Sequence, residues 1–338
     1  MADRLHPTGY ASTGLQEILV VEKIETQVLI VGGGPAGAAC AWQLTQHGIP
    51  CLVLDKAAFP RTKPCAGWVT PQVFQLLETQ PEDYPHSLTH FNQFRVSLRG
   101  FRFSLPTHQY AIRRVEFDNW LLQRSGAEVI QHQVQQVRQI EDGYLVDDRY
   151  SARFIIGAGG THCPVRRNLF NENEARPKSG LIITREEEFA YPYQDARCHL
   201  WFFEDGLPGY AWYVPKTGGI LNVGIGGSAA RLKAKGQTLN EHWSRLVGKL
   251  DRAGLVTGHT FQPLGYSYRL QNRSPQLRWG NAFLVGDALG LATRDMGEGI
   301  GPAVHSGILS AEAIILNRPY AVRQIPRFSL PSLLHLRR

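Results

Sequence analysis

Short apolar runs and helical patterns alternate at both ends of the chain. Residues 28–31 and 51–54 are apolar runs of the kind that form buried strands, and residues 35–47 between them carry an alanine-rich helical pattern. Near the C-terminal end, an apolar run at residues 282–285 is followed by a helical pattern at residues 302–317, with proline at its first turn. Strands that alternate with helices predict an α/β fold with a parallel sheet.

Between these ends the pattern changes to that of β-structure. Residues 91–105 alternate between apolar and polar positions, and residues 181–227 are rich in strand-forming and aromatic residues. Residues 129–146 are typical of the short strands of a meander that turns at Asp142 and Gly143. The same rules predict further elements: helices over residues 71–79, 111–125 and 239–253, and a buried strand over residues 154–157.

This arrangement predicts a discontinuous Rossmann-like domain that carries an inserted antiparallel, β-rich domain, so the fold class is α/β. The boundaries follow from the changes of pattern along the chain. We predict an N-terminal arm over 1–25, a nucleotide-binding domain over 26–80, 110–170 and 275–320, a substrate domain over 81–109 and 171–274, and a C-terminal tail over 321–338.

The first candidate site is the loop between the two N-terminal strands. Gly32, Gly34 and Gly37 form the pattern G-x-G-x-x-G, and Asp55 ends the second strand. The first glycine permits a tight turn, the second lets the backbone approach a pyrophosphate, and the third lets helix and strand pack closely. An acid in the place of Asp55 can accept a hydrogen bond from a ribose hydroxyl. This context predicts a dinucleotide site and leaves the choice between NAD and FAD open.

A second candidate site follows the C-terminal apolar strand. Asp287 stands at the end of that strand, where sheets of this type bind ligands. Gly297, Gly299 and Gly301 precede the last helical pattern, and they would let the backbone approach a flat group. The N-terminus of that helix offers N–H donors and a positive dipole end, which would stabilise the negative charge of a reduced flavin.

Charge and cysteine content narrow the possible functions. The 338 residues carry a net charge of +7, yet no block of lysine and arginine is long enough for an arm that binds nucleic acid. The excess charge is consistent with a solvated surface, or with attraction to anionic lipid headgroups or phosphorylated substrates. The five cysteines lack C-x-x-C spacing, which argues against a zinc site or a disulfide framework and favours a reducing, cytoplasmic compartment. No metal site, signal peptide or membrane-spanning segment is expected.

Conspicuous motifs are spread from about residue 28 to residue 316. They are GGGPAG (32–37), KPCAGW (63–68), RVEFD (114–118), GYAWYVPK (209–216) with NVGIGG (222–227), and GDALG with GEGI (286–300). Together they resemble flavoproteins of the para-hydroxybenzoate hydroxylase superfamily, and within it the geranylgeranyl reductase family. The resemblance implies a Rossmann-like FAD-binding domain with an inserted substrate domain.

The resemblance also implies roles for individual residues. Ala36 would contact the FAD pyrophosphate, Asp55 the adenosine ribose and Asp287 the ribityl hydroxyls. Cys65 would lie beside the flavin ring and influence reduction, which makes it the candidate catalytic residue, although a lone cysteine is equally consistent with a small residue that fills a loop. The implied FAD-binding set is Gly32, Gly34, Pro35, Ala36, Gly37, Asp55, Lys56, Cys65, Ala66, Gly67, Arg114, Val134, Asp287, Gly297, Gly299 and Ile300.

The aromatic segment GYAWYVPK has two interpretations. By resemblance, Tyr210, Trp212 and Pro215 would line a pocket for an apolar or amphiphilic substrate. By pattern alone the segment is equally consistent with plain core, because both faces of the strand are apolar. Lys216 at its end is expected to be solvated.

These features predict an FAD-dependent oxidoreductase that reduces C=C bonds of an isoprenoid or lipid by hydride transfer from reduced flavin. NADPH or another reductant would bind transiently, because no second G-x-G-x-x-G is present. A flavin-dependent monooxygenase or halogenase, and a non-catalytic flavoprotein or electron carrier, are the alternatives. No His/Asp pair identifies a proton donor. We expect a cytoplasmic protein that makes peripheral contact with a membrane.

Overall fold

The described part of the chain is built around two large sheets. The structure is a computed structural model that describes residues 23–170, 180–272 and 278–334. Its strands are β1 Ile24–Val31, β2 Cys51–Asp55, β3 Trp68–Val69, β4 Leu88–Leu98, β5 Phe101–Ile112, β6 Glu128–Gln131, β7 Val137–Ile140, β8 Gly143–Val146, β9 Tyr150–Gly157, β10 Leu181–Ala190, β11 Cys198–Phe202, β12 Gly209–Lys216, β13 Ile220–Ser228, β14 Leu264–Arg269, β15 Arg278–Trp279 and β16 Ala282–Leu284. Its helices are α1 Pro35–Gln46, α2 Pro71–Leu76, α3 Arg114–Arg124, α4 Pro164–Leu169, α5 Ala229–Ala234, α6 Leu239–Arg252, α7 Ile300–Ile315 and α8 Leu330–Leu333.

The first sheet is the mainly parallel one that the terminal patterns predict. Its strands lie in the order β15-β16-β9-β1-β2-β6, and the β7–β8 hairpin pairs with β9. Strand β1 runs parallel to both β2 and β9, so the carboxyl ends of these three strands meet at one edge. Helices α1 and α7 pack closely: a Cβ atom at Gly307 would lie only 2.1 Å from the carbonyl oxygen of Ala36. The G-x-G-x-x-G loop follows β1 and therefore lies at the carboxyl edge of this sheet.

The second sheet has the order β14-β10-β13-β12-β11-β4-β5-β3. Its pairs are antiparallel except for β4 with β11, which are parallel because the chain passes through the first sheet between them. Strands β4 and β5 turn at Arg99 and Gly100, whose φ angles of 49° and 92° suit a two-residue hairpin. Helix α6 covers the outer face of the sheet and begins with a capping box formed by Thr238 and Glu241. The inner face is left to line a cavity.

The predicted elements are present, with some differences. Helix α3 begins at Arg114 rather than at residue 111, because β5 extends to Ile112. Strand β6 does not belong to the predicted meander, since it pairs in parallel with β2 and joins the first sheet. Strand β3 pairs with β5 and so belongs to the second sheet, although residues 26–80 were assigned to the nucleotide-binding domain. The domain division itself stays a prediction.

The two ends of the chain are described only in part. Residues 1–22 of the predicted N-terminal arm lie outside the described residues, and β1 already begins at Ile24. In the predicted C-terminal tail, α8 packs against β5, where the Thr107 hydroxyl donates to the Leu333 carbonyl at 3.0 Å. Residues 335–338 lie outside the described residues. No helix in the described ranges is long and apolar enough to cross a bilayer.

Candidate active site

A cavity of about 720 Å³ lies between the carboxyl edge of the first sheet and the inner face of the second. Its volume is within the range of pockets that hold cofactors and substrates. The first sheet contributes the loops after β1, β2 and β16, and the second contributes side chains of β10, β12 and β14. The two sequence motifs with the strongest nucleotide signature therefore open into the same space.

The glycine loop after β1 forms a tight cradle. Gly32 has a φ of 114°, and a Cβ atom there would lie 2.4 Å from the Ala158 carbonyl oxygen. A Cβ atom at Gly37 would lie 1.9 Å from the carbonyl oxygen of Gly32, so only glycine permits this approach of helix and loop. The Asp55 carboxylate accepts from the Gly33 N–H at 2.7 Å. The loop thus presents backbone at the N-terminus of α1, where N–H groups favour an anion.

Arg114 enters the cavity from the start of α3, held by a buried carboxylate. Its Nε and one terminal nitrogen donate to the two oxygens of Asp118 at 2.6 and 2.7 Å. Asp118 is fully buried, and Arg61 lies 3.4 Å from it on the cavity side. This explains the motif RVEFD, because a spacing of four residues brings arginine and aspartate together on one helix face. The bidentate geometry fixes the guanidinium in the cavity wall.

Asp287 lies at the far end of the cavity with two residues that the sequence analysis did not select. The Tyr266 hydroxyl donates to Asp287 Oδ2 at 3.0 Å, and Lys63 Nζ lies over the Tyr266 ring at 3.0 Å from its centroid. Burial and next the Arg114 guanidinium lower the pKa of Lys63 to about 8, against the opposing effect of Asp287. The cavity therefore carries an amine whose pKa lies well below that of an ordinary lysine.

The N-terminus of α7 faces the cavity through the segment GEGI. Gly299 precedes the first helical residue, Ile300, and both line the cavity together with Gly297. Glu298 accepts from the Gly301 N–H at 2.7 Å, and burial raises the pKa of this carboxyl to about 7. The positive dipole end of the helix favours a partial negative charge at this point.

The inner face of the second sheet forms the opposite wall. Tyr210 and Trp212 alternate along β12, and opposite them on β13 stand Gly226 and Gly224. A Cβ atom at Gly224 would lie 2.2 Å from Trp212 Cζ2, so the glycine leaves the space that the indole ring occupies. The motifs GYAWYVPK and NVGIGG are therefore two halves of one packing arrangement. The Trp212 indole N–H donates to Asn222 Oδ1 at 2.7 Å, which fixes the ring.

Lys216 is not solvated, contrary to the expectation from sequence. Its side chain is 1% exposed, and its Nζ lies 2.6 Å from Glu188 Oε2 and donates to the Ile112 carbonyl at 2.9 Å. Alternation along β12 places Lys216 on the same inner face as Trp212, and Glu188 of β10 supplies the opposite charge.

Cys65 lies in the cavity wall between the two sheets. Its Sγ accepts from the Gly67 N–H at 3.4 Å, and its carbonyl accepts from Asn222 Nδ2 at 3.3 Å. These bonds tie the KPCAGW loop to the second sheet beside Trp212. A thiol in this place can contact a ligand in the cavity.

The structure brings most of the predicted residues together. Gly37 and Gly67 of the implied FAD-binding set do not line the cavity, because Gly37 packs against the glycine loop and Gly67 against β5. Pro215 points to the other face of β12, so of the predicted substrate residues only Tyr210 and Trp212 line it. The predicted residues that line it are Gly32, Gly34, Pro35, Ala36, Asp55, Lys56, Cys65, Ala66, Arg114, Val134, Asp287, Gly297, Gly299 and Ile300.

Several cavity residues were missed by the sequence analysis. Besides Lys63 and Glu298, they are Thr184, Glu186, Tyr266 and Tyr268. Thr184 and Glu186 are two residues apart, as are Tyr266 and Tyr268. This spacing predicts that the members of each pair share one face of a strand, but not that this face meets the cavity. Within the described ranges, no group of histidine, cysteine or acidic side chains is placed to hold a metal ion.

Known proteins with similar sequences or folds include FAD-binding proteins and reductases. Residues 25–80 match the family described as FAD binding domain. An uncharacterized protein of Methanosarcina barkeri is 30% identical over 309 residues, which span 85% of this chain and 74% of that protein. Digeranylgeranylglycerophospholipid reductase 2 of Methanopyrus kandleri is 26% identical over 239 residues, 65% of this chain and 60% of that enzyme. A geranylgeranyl bacteriochlorophyll reductase-like protein of Thermoplasma acidophilum shares the fold, with a TM-score of 0.76 at 20% identity, and the match covers 90% of this chain and 82% of that one.

The extent of these matches decides the assignment. The chain belongs to the geranylgeranyl reductase family. It is an FAD-dependent oxidoreductase, which confirms the prediction from its motifs. The reductase interpretation is better supported than the monooxygenase and halogenase alternatives, because several of the relatives that match by sequence carry reductase names.

The residues of the cavity fit the FAD that the family binds. The absence of a Cβ atom at Gly32 and Gly37 permits the tight turn and the close helix packing of a dinucleotide loop, and Gly34 lines the cavity where a pyrophosphate would approach. Asp55 and Asp287 place carboxylates at two separate ends of the first sheet's carboxyl edge. The space between them is continuous, so one extended dinucleotide can reach both.

Proposed function

We propose that this protein reduces C=C bonds in the isoprenoid chain of a lipid. The hydride for such a reduction is what FAD supplies when it is bound and reduced. The observation that carries the proposal is that the dinucleotide cradle and an apolar wall of the second sheet share one cavity. A relative is named for reducing a digeranylgeranyl phospholipid, which supports an apolar, chain-like substrate.

An apolar path supports this substrate class. The row Trp212–Leu200–Val96–Phe103 crosses four neighbouring strands from the cavity towards the β4–β5 hairpin. A second row, Tyr210–Phe202–Leu98–Phe101, runs beside it on the same face. Strands lie about 4.8 Å apart, so each row spans about 14 Å from the cavity wall to the surface. A chain of isoprene units can lie along such a face, whereas a small polar substrate gains nothing from it.

The outer end of this path suits contact with an anionic membrane surface. Phe101 is 81% exposed, Phe103 46% and Leu98 42%, which is unusual for large apolar side chains so close together. Arg99 at the turn and Arg102 on β5 are exposed beside them. Apolar side chains that enter the interface, with arginines that meet anionic headgroups, would hold the mouth of the path against the bilayer that contains the substrate.

Roles for individual residues follow from their places in the cavity. In this proposal the glycine loop and Ala36 bind the FAD pyrophosphate, Asp55 the adenosine ribose, and Asp287 the ribityl chain. Gly299 and Ile300 give backbone contacts to the flavin ring, and Cys65 lies beside it. NADPH or another two-electron donor would bind transiently, and no nucleic acid is involved. The first sheet would serve as the FAD-binding domain and the second as the substrate domain.

The experiment is reduction of an isoprenoid lipid by the purified protein. The protein should carry FAD that heat denaturation releases intact, and its dithionite-reduced form should add two hydrogens per double bond to geranylgeranyl diphosphate or to a digeranylgeranylglycerophospholipid, as read by mass spectrometry. Cys65→Ser should slow this reaction far more than it weakens FAD binding. Bound NAD without a flavin spectrum, or a product that contains oxygen or halogen, would contradict the proposal.

The membrane contact has its own test. Sedimentation with phosphatidylglycerol vesicles should be strong at low salt and fall as salt rises, because the attraction of each basic residue is worth about 1 kcal/mol and is screened. Phe101→Ser should weaken sedimentation. Leu264→Ser, which removes another exposed apolar side chain, 54% exposed, at the opposite edge of the same sheet, should not weaken it. Equal effects of the two substitutions would contradict the assignment of the hairpin.

A further inference from the structure

Glu186 is a buried carboxyl group in the cavity wall with one oxygen unpaired. It is 4% exposed and lines the cavity from β10. Its Oε2 makes no hydrogen bond within the described residues. A buried polar atom without a partner is rare and costly, and in a cavity wall it indicates an atom whose partner is a ligand. Nothing in the FAD-binding set accounts for Glu186.

The position of Glu186 points to the substrate end of the cavity. It lies in one cross-strand row with Gly224 and Trp212, and a Cβ atom at Gly224 would be 2.7 Å from Glu186 Cβ. Trp212 begins one of the two apolar rows, and Asn222 links it to the backbone of Cys65. The carboxyl group is therefore next to both the apolar path and the loop assigned to the flavin ring.

We propose that Glu186 is the acid that donates the proton to the substrate double bond. This inference rests on the proposed function, because it identifies the proton source for that reduction. Saturation of a C=C bond adds a hydride to one carbon and a proton to the other. The two electrons arrive with the hydride from FAD that NADPH or another two-electron donor has reduced. The proton arrives as the O–H bond of Glu186 breaks and a C–H bond forms, and solvent later returns a proton to the carboxylate.

The surroundings of Glu186 suit both the protonated acid and the carboxylate that is left after donation. Burial raises the pKa of Glu186 to about 7, against the opposing effects of Lys216 on β12 and Asn222 on β13. Lys63 in the KPCAGW loop and Arg114 on α3 also favour the carboxylate, so the anion left after donation faces positive charge. A group with a pKa near the working pH is suited to general acid catalysis.

Other titratable groups around Glu186 are less suited to this role. The phenols of Tyr210 and Tyr268 have pKa values raised by burial, so they hold their protons at neutral pH. Glu298 also has a raised pKa, but its Oε1 accepts from the Gly301 N–H and its Oε2 lies 3.5 Å from the Ser329 hydroxyl. Lys63 Nζ lies over the Tyr266 ring at 3.0 Å from its centroid, so its ammonium group is already engaged by that ring and by the charge of Asp287.

The test compares Glu186→Gln with a matched control. Glu186→Gln keeps the size of the side chain and removes the acid. Glu187→Gln makes the same change at the next residue, whose side chain is on the other face of β10 and hydrogen-bonded to His259 at 3.0 Å. FAD-loaded protein is reduced with dithionite without oxygen and mixed with geranylgeranyl diphosphate or a digeranylgeranylglycerophospholipid. Return of the oxidised flavin absorbance measures the transfer.

We expect Glu186→Gln to slow this transfer on the order of 100-fold or more, and Glu187→Gln to match the wild-type rate. The wild-type rate should fall as pH rises through about 7, and this dependence should be absent from Glu186→Gln. Glu186→Asp should restore part of the rate and the pH dependence. In infrared titration of the FAD-free protein, a carboxyl band that titrates near neutral pH should be present in the wild type and absent from Glu186→Gln.

The possible failures are distinguishable. If the wild-type protein transfers hydride but Glu186→Gln does so at the same rate, Glu186 is not the donor and the proposed function stands. If the infrared band is the same in both proteins, Glu186 is ionised and cannot donate. If the wild-type protein saturates neither lipid, the proposed function itself is wrong, and the donor role falls with it.

Discussion

The substitution Gly224→Ala, which adds one methyl group, tests how closely the side chains of the second sheet pack at the cavity wall. Gly224 stands on β13 directly between Trp212 of β12 and Glu186 of β10. In Gly224→Ala the new Cβ would lie 2.2 Å from Trp212 Cζ2 and 2.7 Å from Glu186 Cβ, whereas ordinary contact begins at 3.4 Å. Both neighbours would have to move.

The cost follows from how firmly the indole is held. Trp212 is 5% exposed and bonded to Asn222, so its ring cannot tilt away without leaving its pocket. Overpacking of a filled interior costs about 1–3 kcal/mol, and loss of the bond to Asn222 adds about 1 kcal/mol. We therefore expect Gly224→Ala to lower the free energy of unfolding by about 2–4 kcal/mol.

Urea denaturation of the FAD-free protein measures this free energy, and Gly226→Ala is the matched control. Gly226 is on the same face of the same strand, but a Cβ atom there would meet its nearest neighbour, Thr184 Cγ2, at 3.2 Å. A shift of a few tenths of an ångström accommodates that methyl group, so the loss should stay below about 1 kcal/mol. Equal losses of unfolding free energy in the two variants would refute the argument that the missing side chain at Gly224 makes room for the Trp212 ring.

Three further predictions concern charged groups of the cavity. Arg114→Ala removes the two nitrogen atoms that donate to the buried Asp118 carboxylate, so it should lower the free energy of unfolding, measured in urea, by about 3–5 kcal/mol. A loss below about 1 kcal/mol would contradict this account. Asp287→Ala should raise the Kd for FAD about 10- to 100-fold in titration calorimetry, and an unchanged Kd would remove Asp287 from the binding site. Burial raises the pKa of Glu298 to about 7, so its neutral form stabilises the fold at low pH and this contribution is lost as pH rises through that value. The Tm of Glu298→Gln should therefore fall less than that of the wild type as pH rises from about 4.5 to about 7, and equal slopes over this range would contradict the burial of this carboxyl.

The parts of the site that consecutive residues build could be predicted from the sequence. The glycine loop, the helix that follows it and the acid at the end of β2 are one local unit, and its geometry is dictated by short-range sterics. The same holds for Asp287 and the N-terminus of α7. In both places, the observed elements begin within two residues of the predicted ones.

The wall formed by the second sheet could not be predicted in the same way. Its composition is decided by pairing between strands that are distant in sequence, such as Thr184 of β10 with Gly226 of β13 and Tyr266 of β14. Alternation shows which residues share a face, but a shift of register by one residue exchanges the two faces. The resemblance assigns Pro215 to the pocket together with Tyr210 and Trp212, but in the structure it belongs to the other face of β12 and does not line the cavity.

The burial of the charged residues Glu186 and Lys216 could not be predicted from the sequence either. In the sequence each is one charged residue in a β-rich segment, and such residues are mostly solvated. Lys216 is in register with Ala190 of β10 through Ile220 of β13, and Glu188, two residues before Ala190 on the same face, supplies its opposite charge. What brings Glu186 into the cavity wall is the register of β10 with β13 and β12, which places it in one row with Gly224 and Trp212. The chemistry of both groups thus depends on strand register, because the pairing of β10, β13 and β12 decides which of their side chains are buried together at the cavity wall.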